Sequence, residues 1–471
     1  MDESALFDEI CALLAARGIE LRTERFVIPP DSAGGLCRVA GKDLVLLHAG
    51  ASRAERVQAL LEVVEQLGLR RLGIRGAQLS PTLLSRLNRR GQMPWPHRSQ
   101  APPVAKAQTK NPPKDHLKLV MMPPALSLLT TLGVGGPPLR FETATTEGDV
   151  IDLARAAQKQ EDQLYVLGGG SNVVVADEGI PGTVLRMGLP GISTKTHKGQ
   201  LLVTAGAGVV WDDFVAEMTE QDYAGIECLA GIPGSVGATP IQNVGAYGQE
   251  VSQVIDSVRV LNRKTLKFRD LSNKQCCFAY RSSLFKTSAL DEYIVISVTF
   301  RLVPGGRPTL NYPELKKAIG DQVSLKELRA QVIELRRAKS MVYDPADENH
   351  RSCGSFFVNA QMPADEVARL ERQLDTKVPT FPGENAQLKV PAAWLIERAG
   401  FQRGFRRGHV GLSSKHTLCI VAHEGAQARE VVEFAASIRD TVNEKFAIRL
   451  VPEPNFWGFP TMNQGLPQLS R

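Results

Sequence analysis

The sequence is poor in cysteine and in aromatic residues, and its apolar residues form no long runs. Its 471 residues include seven cysteines, no two of them spaced as a CxxC pair, and only 6% are aromatic. We therefore expect neither a disulfide framework nor a zinc site, which favours a reducing compartment. No apolar run is long enough for a membrane-spanning helix, and the acidic start, Met1 to Ser4, does not resemble a signal peptide. These features predict a cytoplasmic protein with no metal site and no membrane partner.

The sequence also has little net charge for its length. The formal charge is +6 and the pI is about 8.9. A charge this small suits an anionic substrate but does not indicate nucleic-acid binding. Hydrophobic residues make up 43% and charged residues 23%. This balance is typical of a globular chain, and the length favours roughly two to four domains.

An uncharged, glycine-dense stretch lies in the middle of the chain. Residues Gly231–Gly248 contain five glycines and two prolines among apolar anchors. Glycine and proline weaken long helices and strands. We therefore predict a tightly folded loop whose backbone N–H groups can approach a flat or phosphorylated ligand.

A second loop of the same kind lies upstream, at Gly168–Asn172, between two apolar runs. The pattern predicts a strand, a turn and a second strand. The loop lacks both the GxGxxG spacing of a Rossmann motif and the lysine of a P-loop. Two uncharged loops between apolar strands favour a dinucleotide that is held by backbone amides.

Composition and periodicity divide the chain into five segments. Residues 1–93 are predicted to form a small α/β module of unknown role, and the proline-rich residues 94–124 a linker. Residues 125–305 mix strands, helices and glycine turns without a regular βαβ period, which favours an α+β flavin or nucleotide domain. Residues 306–345 contain arginine-rich helices, and residues 346–460 form a separate α+β lobe. The periodicity predicts a hairpin at 39–47, a strand at 416–422, a short basic helix at 83–90, and helices at 54–67, 149–160, 211–221, 364–374, 391–399 and 428–446.

Seven motifs in order along the chain carry a resemblance to a known family. They are Thr130–Gly136, Gly168–Asn172, Gly231–Gly237, Pro240–Gly248, Phe278–Lys286, Gly354–Phe357 and Pro452–Pro454. Together they resemble the UDP-N-acetylenolpyruvoylglucosamine reductases, the MurB family of peptidoglycan precursor synthesis, over about residues 125–460. The resemblance implies an α+β fold. A two-subdomain FAD-binding module of the vanillyl-alcohol-oxidase (PCMH-like) type would be followed by an α+β substrate lobe, and here preceded by the small α/β module.

The reaction of that family implies three catalytic residues. NADPH reduces FAD, and hydride then passes to the vinyl carbon of an enolpyruvyl UDP-sugar, which gives UDP-N-acetylmuramate. The addition places enolate character beside the substrate carboxylate, so a cation and an acid are needed. By resemblance, Arg281 holds the carboxylate, Glu453 assists it and Ser355 donates the proton. Without the family, each would be read as an ordinary turn, cap or loop residue.

The resemblance also implies the cofactor and substrate contacts. FAD is expected to meet Gly168, Gly169, Gly170, Ser171, Asn172, Gly234, Ser235, Gly237, Ile241, Asn243 and Tyr247. The UDP-sugar is expected to meet Tyr280, Tyr312, Lys339 and Asn359. The family usually has a proline after that asparagine, whereas this chain has Ala360. The direction of the Asn359 side chain is therefore left open.

Two other functions are consistent with the residues. One is a different flavin-dependent oxidoreductase of the vanillyl-alcohol-oxidase type, although the loops have no counterpart of its usual flavin-linked histidine. The other is a flavin-bound scaffold or sensor in which the N-terminal module carries the function. Arg86, Arg89 and Arg90 are interpreted as a solvated helix end, with a docking or nucleic-acid surface as the alternative. We expect a monomer that uses FAD, NADPH and a UDP-sugar and does not bind nucleic acid.

Overall fold

The computed structural model describes residues 3–15, 19–24, 34–39, 42–48, 51–67, 80, 83, 123–197, 200–310, 312–320, 323–459, 462–463 and 466–467. The chain forms two compact units, Met1–Pro124 and Ala125–Arg471. Within the described ranges, no helix combines the length and apolarity that crossing a membrane requires.

The N-terminal unit is a three-stranded sheet with two helices. Its elements are α1 (Glu3–Ala15), β1 (Glu20–Glu24), β2 (Gly34–Val39), β3 (Lys42–His48) and α2 (Arg53–Leu67). Strand β3 lies in the centre, parallel to β1 and antiparallel to β2. The predicted hairpin is confirmed, although its first strand begins earlier, at Gly34. The predicted helix at 83–90 and the predicted linker lie almost wholly outside the described residues.

The N-terminal unit has its own core because both helices are amphipathic. Leu6, Ile10 and Leu14 recur every four residues on α1 and are at most 1% exposed. On α2, Leu60 and Val64 face the same core. The helix predicted at 54–67 is confirmed as Arg53–Leu67.

The second unit begins with a small parallel sheet that carries the first glycine-rich loop. Its elements are β4 (Pro138–Ala144), α3 (Glu147–Lys159), β5 (Leu164–Leu167), β6 (Val173–Val175) and β7 (Ile180–Met187). The sheet order is β4-β7-β5. Helix α3 begins at a capping box in which Thr146 and Asp149 satisfy each other's backbone N–H groups.

A larger antiparallel sheet follows and carries the second loop. Its elements are β8 (Ile192–His197), β9 (Gln200–Gly206), α4 (Trp211–Glu220), β10 (Tyr223–Ala224), β11 (Gly245–Ala246), β12 (Gln249–Glu250), β13 (Ile255–Asn262), β14 (Phe268–Ser272) and β15 (Tyr293–Pro304). The order is β14-β13-β15-β9-β8, with β10 on the end of β15. Helix α4 packs its buried aromatic residues Trp211 and Phe214 onto Phe300 of β15, with ring centroids 5.9 and 5.1 Å apart.

Two helices connect this sheet to the C-terminal lobe. They are α5 (Pro313–Ile319) and α6 (Leu325–Arg337). Helix α6 starts at a capping box formed by Ser324 and Glu327. Its Arg329 pairs with Asp212 of α4 at 2.9 Å, and Asp212 also accepts the Gly231 N–H at 2.6 Å. The start of the second loop is thereby fixed to both helices.

The C-terminal lobe packs three helices on two small sheets. Its elements are β16 (Ser352–Ser355), β17 (Ala360–Met362), α7 (Ala364–Leu374), β18 (Phe381–Pro382), β19 (Leu388–Val390), α8 (Ala392–Ala399), β20 (Arg406–Arg407), β21 (Val410–Leu412), β22 (Cys419–Ala422), α9 (Ala428–Phe446), β23 (Asn455–Trp457), β24 (Met462–Asn463) and β25 (Leu466–Pro467). The sheets are β16-β22-β21-β20 and β17-β19-β18. The strand predicted from residue 416 begins only at Cys419, because the Leu418 N–H turns back to Nδ1 of His416 at 3.1 Å.

The lobe is joined to the segment that follows the first glycine-rich loop. Strand β23 runs parallel to β6, with Phe456 opposite Val174. The Asp177 carboxylate accepts the first N–H groups of α9, from Ala428 at 2.8 Å and Arg429 at 3.0 Å. The predicted fold class is confirmed: an α+β chain with a two-subdomain FAD-binding fold and a further α+β lobe.

Candidate active site

The two glycine-rich loops lie against each other. Ser171 Oγ donates a hydrogen bond to the Pro233 carbonyl at 2.8 Å. The Nδ2 group of Asn172 donates to Oε1 of Gln242 at 2.7 Å. The side chains of Ser171 and Asn172, which were expected to meet FAD, therefore link the two glycine-rich loops to each other. Their direct contact with FAD remains a prediction.

Glycine is required where the backbones touch. A Cβ on Gly169 would lie 2.6 Å from the Cα of Gly234. Gly170 has φ +67°, and a Cβ there would lie 2.0 Å from the Leu129 carbonyl oxygen. The first loop is thus held closely between the second loop and the segment that precedes Thr130–Gly136.

Two buried hydroxyl groups beside this turn have no hydrogen-bond partner within the described part of the chain. They belong to Thr130 and Ser235. A Cβ on Gly168 would lie 2.5 Å from Ser235 Oγ, and one on Gly170 would lie 3.0 Å from the Cα of Thr130, so both residues border the same turn. An unpaired buried hydroxyl costs about 1–3 kcal/mol. The residues present therefore fit a polar cofactor that is held by hydrogen bonds and backbone rather than by a lysine.

Two further residues expected at the cofactor shape the second loop. Asn243 is 1% exposed, and its Nδ2 donates to Glu250 at 2.8 Å and to the Ala279 carbonyl at 3.1 Å. Gly237 packs against Ala207, the residue after β9, since a Cβ on Gly237 would lie 2.5 Å from the Cβ of Ala207. Contacts of FAD with these residues, and with Ile241 and Tyr247, remain predictions.

Arg281 and Glu453 meet beside the loops. The Nε of Arg281 lies 3.6 Å from Oε1 of Glu453, and the two side chains are 22% and 12% exposed. Arg281 also donates through Nη2 to the Gly245 carbonyl at 2.7 Å. Its φ of +54° places it in a left-handed turn, which is closed by the pairing of Ala279 with Ser282. Such a conformation is uncommon outside glycine and is often found at functional sites.

Glu453 is positioned by the backbone on both sides. Its N–H donates to the Phe356 carbonyl at 2.9 Å, and the N–H of Asn455 donates to the Asn172 carbonyl at 3.0 Å. Burial raises the pKa of the Glu453 carboxyl, while the positive charge of Arg281 opposes that rise. The neutral form is therefore more accessible than for an exposed glutamate.

Ser355 lies at the end of β16, next to the residue that holds Glu453. Its strand pairs with β22, and the following N–H, of Phe356, donates to the Leu418 carbonyl at 2.8 Å. Among the described residues, no group forms a hydrogen bond with the Ser355 hydroxyl. Neighbouring Cys353 is buried, and burial raises the pKa of its thiol, so it stays protonated and is a poor nucleophile.

Tyr280 and Asn359 are brought together at the edge of the lobe. The Tyr280 N–H donates to Glu384 at 2.7 Å, and the Nζ of Lys389 lies 4.6 Å from the centre of its ring. The Asn359 side chain lies near enough to the Tyr280 hydroxyl to lower its pKa against the effect of burial, and its Oδ1 accepts the Ala392 N–H at 3.0 Å. Asn359 thus points toward Tyr280 and the start of α8.

Tyr312 and Lys339 lie over the second loop. The Tyr312 ring meets Tyr247 edge to face, with centroids 5.4 Å apart. The Nζ of Lys339 lies 2.8 and 2.9 Å from the two carboxylate oxygens of Glu314 and 5.7 Å from the centre of the Tyr247 ring. Lys339, which was expected to meet the phosphates, therefore has a carboxylate partner within the chain. Burial raises the pKa of the neighbouring Tyr247 to about 12, so this tyrosine stays neutral.

Several residues of this site were not singled out from the sequence. Thr130 and Lys286 lie within two of the seven motifs, and Glu314 lies two residues after Tyr312. The sequence could therefore have indicated these three residues. Glu384 and Lys389 carry no local signal, because they reach Tyr280 only through the folding of the lobe.

Comparisons with known proteins show the family to which the chain belongs. An FAD binding domain model matches residues 138–265, and the model of the C-terminal domain of UDP-N-acetylenolpyruvoylglucosamine reductase matches residues 344–457. The reductase of that name from Thermobifida fusca (strain YX) is 44% identical over 69% of this chain and 94% of its own length. The reductase from Salinispora arenicola (strain CNS-205) is 43% identical over 70% and 93%.

One solved structure is also similar. It is UDP-N-acetylenolpyruvylglucosamine reductase (MurB) from Thermus caldophilus, with a TM-score of 0.49 and 26% identity, covering 71% of this chain and 97% of that chain. The identities to the curated relatives, over nearly their whole length, are high enough to show common membership. This chain belongs to the UDP-N-acetylenolpyruvoylglucosamine reductase family.

Proposed function

We propose that the chain performs the reaction of its family at the place where Arg281, Glu453 and Ser355 converge. As a member of the family, it is an FAD-dependent reductase that uses NADPH to convert UDP-N-acetylglucosamine enolpyruvate into UDP-N-acetylmuramate in peptidoglycan precursor synthesis. The observation that supports the residue assignment is the 3.6 Å separation of Arg281 and Glu453, in a site that the two glycine-rich loops border.

The two loops would hold FAD, with Thr130 and Ser235 supplying the hydroxyl groups that lack partners within the described part of the chain. When bound, FAD supplies hydride transfer, from NADPH to the terminal vinyl carbon of the substrate. The close packing at Gly169 and Gly234 keeps the loops rigid, so the protein contributes orientation rather than redox chemistry.

Arg281 would bind the substrate carboxylate. Its guanidinium is anchored to the Gly245 carbonyl and faces Glu453 at the other side. A planar guanidinium can hold a carboxylate through two hydrogen bonds. Its attraction strengthens as negative charge develops beside that carboxylate, which stabilises the transition state more than the ground state.

Glu453 and Ser355 would handle the proton. A buried carboxyl with a raised pKa can remain neutral and donate a hydrogen bond to the substrate carboxylate, which an ionised glutamate would repel. The Ser355 hydroxyl has no partner among the described residues, so it is available to give a proton to the carbon that carries enolate character. The β16 backbone, through Phe356, fixes this serine relative to Glu453.

The UDP-sugar would lie along Tyr280, Asn359, Tyr312 and Lys339. Lys339 would meet the diphosphate after exchanging its Glu314 partner, and Tyr312 would cover the sugar nucleotide from above the second loop. Tyr280 and Asn359 would form the opposite wall, since they face each other at the edge of the lobe.

We further propose that the protein is a cytoplasmic monomer and that residues 1–124 serve a separate protein partner. The six cysteines of the described residues are free thiols, which is consistent with a reducing compartment. The N-terminal unit has its own core, and all the residues assigned to the reaction lie after residue 124.

The experiment that tests this function follows the colour of the purified protein. A yellow protein should bleach when NADPH is added without oxygen, and the enolpyruvyl UDP-sugar should restore the colour and yield UDP-N-acetylmuramate. A protein that oxygen reoxidises quickly and the UDP-sugar does not would instead be a flavin-dependent oxidase. Arg281→Met should lose reoxidation by the sugar, with the exposed Arg307→Met as the matched control.

A further inference from the structure

Lys286 brings a second positive charge into the site and is tied to Glu453. Its Nζ donates to the backbone carbonyl of Glu453 at 3.2 Å. The turn that carries it, Leu284–Lys286, is capped by Ser283. The Ser283 hydroxyl also donates to the Ile241 carbonyl at 2.6 Å. The lysine is thus fixed to the second glycine-rich loop on one side and to Glu453 on the other.

Two cations of the chain act on the Glu453 carboxyl. Among the described residues, Glu453 forms an ion pair only with Arg281, and Lys286 forms none. Burial lowers the pKa of Lys286, and the nearby Arg281 charge acts in the same direction, while Glu453 opposes it. Both Arg281 and Lys286 favour the ionised form of Glu453, and a substrate that carries a carboxylate would be attracted by both.

We propose that Lys286 is a positioning residue of the reaction, which holds Glu453 by its backbone carbonyl and adds a second positive charge beside Arg281 and Glu453. The proposal rests on the proposed function for its substrate. In this role Lys286 would act through Glu453, whose backbone carbonyl it binds, rather than on the reacting carbon. Within the motif Phe278–Lys286 the resemblance implies a catalytic role only for Arg281, so the role of Lys286 is additional.

The other groups around Glu453 do not compete for this role. Tyr280 and Cys353 lie close enough to feel the charge of Glu453, and burial raises the pKa of both, so they stay neutral near pH 7. The ionisation of Glu453 is therefore governed by burial and by Arg281 and Lys286. Removing the Lys286 charge should make Glu453 harder to ionise.

Three substitutions separate the charge from the hydrogen bond. Lys286→Met removes both, Lys286→Gln keeps a donor without charge, and Lys286→Arg keeps both. The measurement is the rate at which the enolpyruvyl UDP-sugar reoxidises the reduced protein without oxygen, between about pH 5 and pH 9. The control is Lys274→Met, a substitution of an exposed lysine. We expect Lys286→Met to slow reoxidation about tenfold or more and to raise the substrate concentration for half-maximal rate.

The pH profile gives the readout that a merely structural role would not move. One limb of the plot of reoxidation rate against pH should disappear in Glu453→Gln. In Lys286→Met and Lys286→Gln this limb should shift to higher pH by about one unit, and in Lys286→Arg it should stay in place. An unshifted limb in both uncharged variants, or an equal shift in Lys286→Arg, would overturn the proposal. Wild-type protein that the sugar fails to reoxidise would instead overturn the proposed function.

A second measurement does not require turnover. The difference in thermal midpoint between Glu453→Gln and its parent should change with pH over the range in which Glu453 ionises. In the Lys286→Met background the upper end of that range should move to higher pH, while its lower end, which the unfolded chain sets, should stay in place. The same pH range in both backgrounds would show that Lys286 does not set the charge of Glu453, whatever the substrate.

Discussion

The N–H of Glu453 donates to the carbonyl of Phe356 at 2.9 Å, so the glutamate is held one residue away from Ser355. The contact extends into a backbone pairing in which Phe357 lies opposite Pro452. The next strand, β23, continues along β6 immediately after the first glycine-rich loop. One continuous set of backbone hydrogen bonds therefore positions Glu453, Ser355 and the first glycine-rich loop.

Ser355→Ala tests the proton donor. The substitution should leave reduction by NADPH nearly unchanged and slow reoxidation by the enolpyruvyl UDP-sugar on the order of a thousandfold, because a positioned acid is lost. Stopped-flow absorbance of the two half-reactions measures this. Ser352→Ala is the matched control, since alanine keeps the carbonyl that Thr131 binds and, among the described residues, loses only the long 3.4 Å hydrogen bond from the Gly354 N–H. Equal slowing of both half-reactions would contradict the assignment.

Glu453→Gln tests the raised pKa of the buried carboxyl. A carboxyl whose pKa is higher in the folded than in the unfolded state stabilises the fold below its unfolded pKa, and this contribution is lost as pH rises through the folded pKa. The thermal midpoint of Glu453→Gln relative to wild type should therefore rise between about pH 4 and neutral pH, where glutamate normally ionises. The exposed Glu178→Gln is the control. A relative midpoint that falls over this range would mean that the pKa is lowered.

Local patterns predicted the helices of this chain well. The helix predicted at 428–446 is observed as Ala428–Phe446, because its apolar spacing and its capping box, Gln427 with Glu430, are both local features. The strand predicted from residue 416 was too long at its start, because the side chain of His416 accepts a backbone N–H that regular strand pairing would use. Apolar residues alone do not reveal such a contact.

The site was predictable only in part. The resemblance supplied Arg281, Ser355 and Glu453, but no local pattern predicts that β23 pairs with β6 or that Glu453 binds the Phe356 carbonyl. The role of Asn172 in cross-linking the loops depends on Gln242, which lies in the other loop. Contacts between distant segments depend on how the chain packs. The sequence shows only that the two residues could form such a contact, not that they meet.

Thr130→Val and Ser235→Ala test whether the two unpaired hydroxyls serve FAD. Each should weaken FAD binding by about five- to a hundredfold, which corresponds to roughly 1–3 kcal/mol, and should stabilise the FAD-free protein because a buried unsatisfied group is removed. Fluorescence titration of FAD and thermal unfolding of the FAD-free protein measure the two effects. Thr131→Val is the matched control, since its hydroxyl already binds the Ser352 carbonyl at 2.6 Å and its loss should destabilise both forms. Unchanged FAD affinity in both test variants would exclude this role.

Glu314→Gln tests the partner of Lys339. The carboxylate holds the Lys339 ammonium through both oxygens, and it would repel the diphosphate of a UDP-sugar. Both side chains are about one-third exposed, so solvent weakens the pair and we expect only a several-fold gain in substrate affinity. Lys339→Met should lose affinity by a larger factor. Titration of the flavin absorbance with the UDP-sugar measures both. Weaker binding by Glu314→Gln would show that Glu314 assists the substrate instead.

Deletion of residues 1–120 tests the independence of the catalytic unit. The N-terminal unit has its own apolar core, and the second unit contains both glycine-rich loops and all three proposed catalytic residues. The shortened protein should therefore remain yellow and keep both half-reactions within about twofold, because the bonds that hold Arg281, Ser355 and Glu453 lie within residues 125–471. Binding of UMP to full-length and shortened protein provides a check that does not depend on turnover. A colourless or inactive product would mean that residues 1–120 stabilise the FAD-binding unit, and the separate role proposed for them would be wrong.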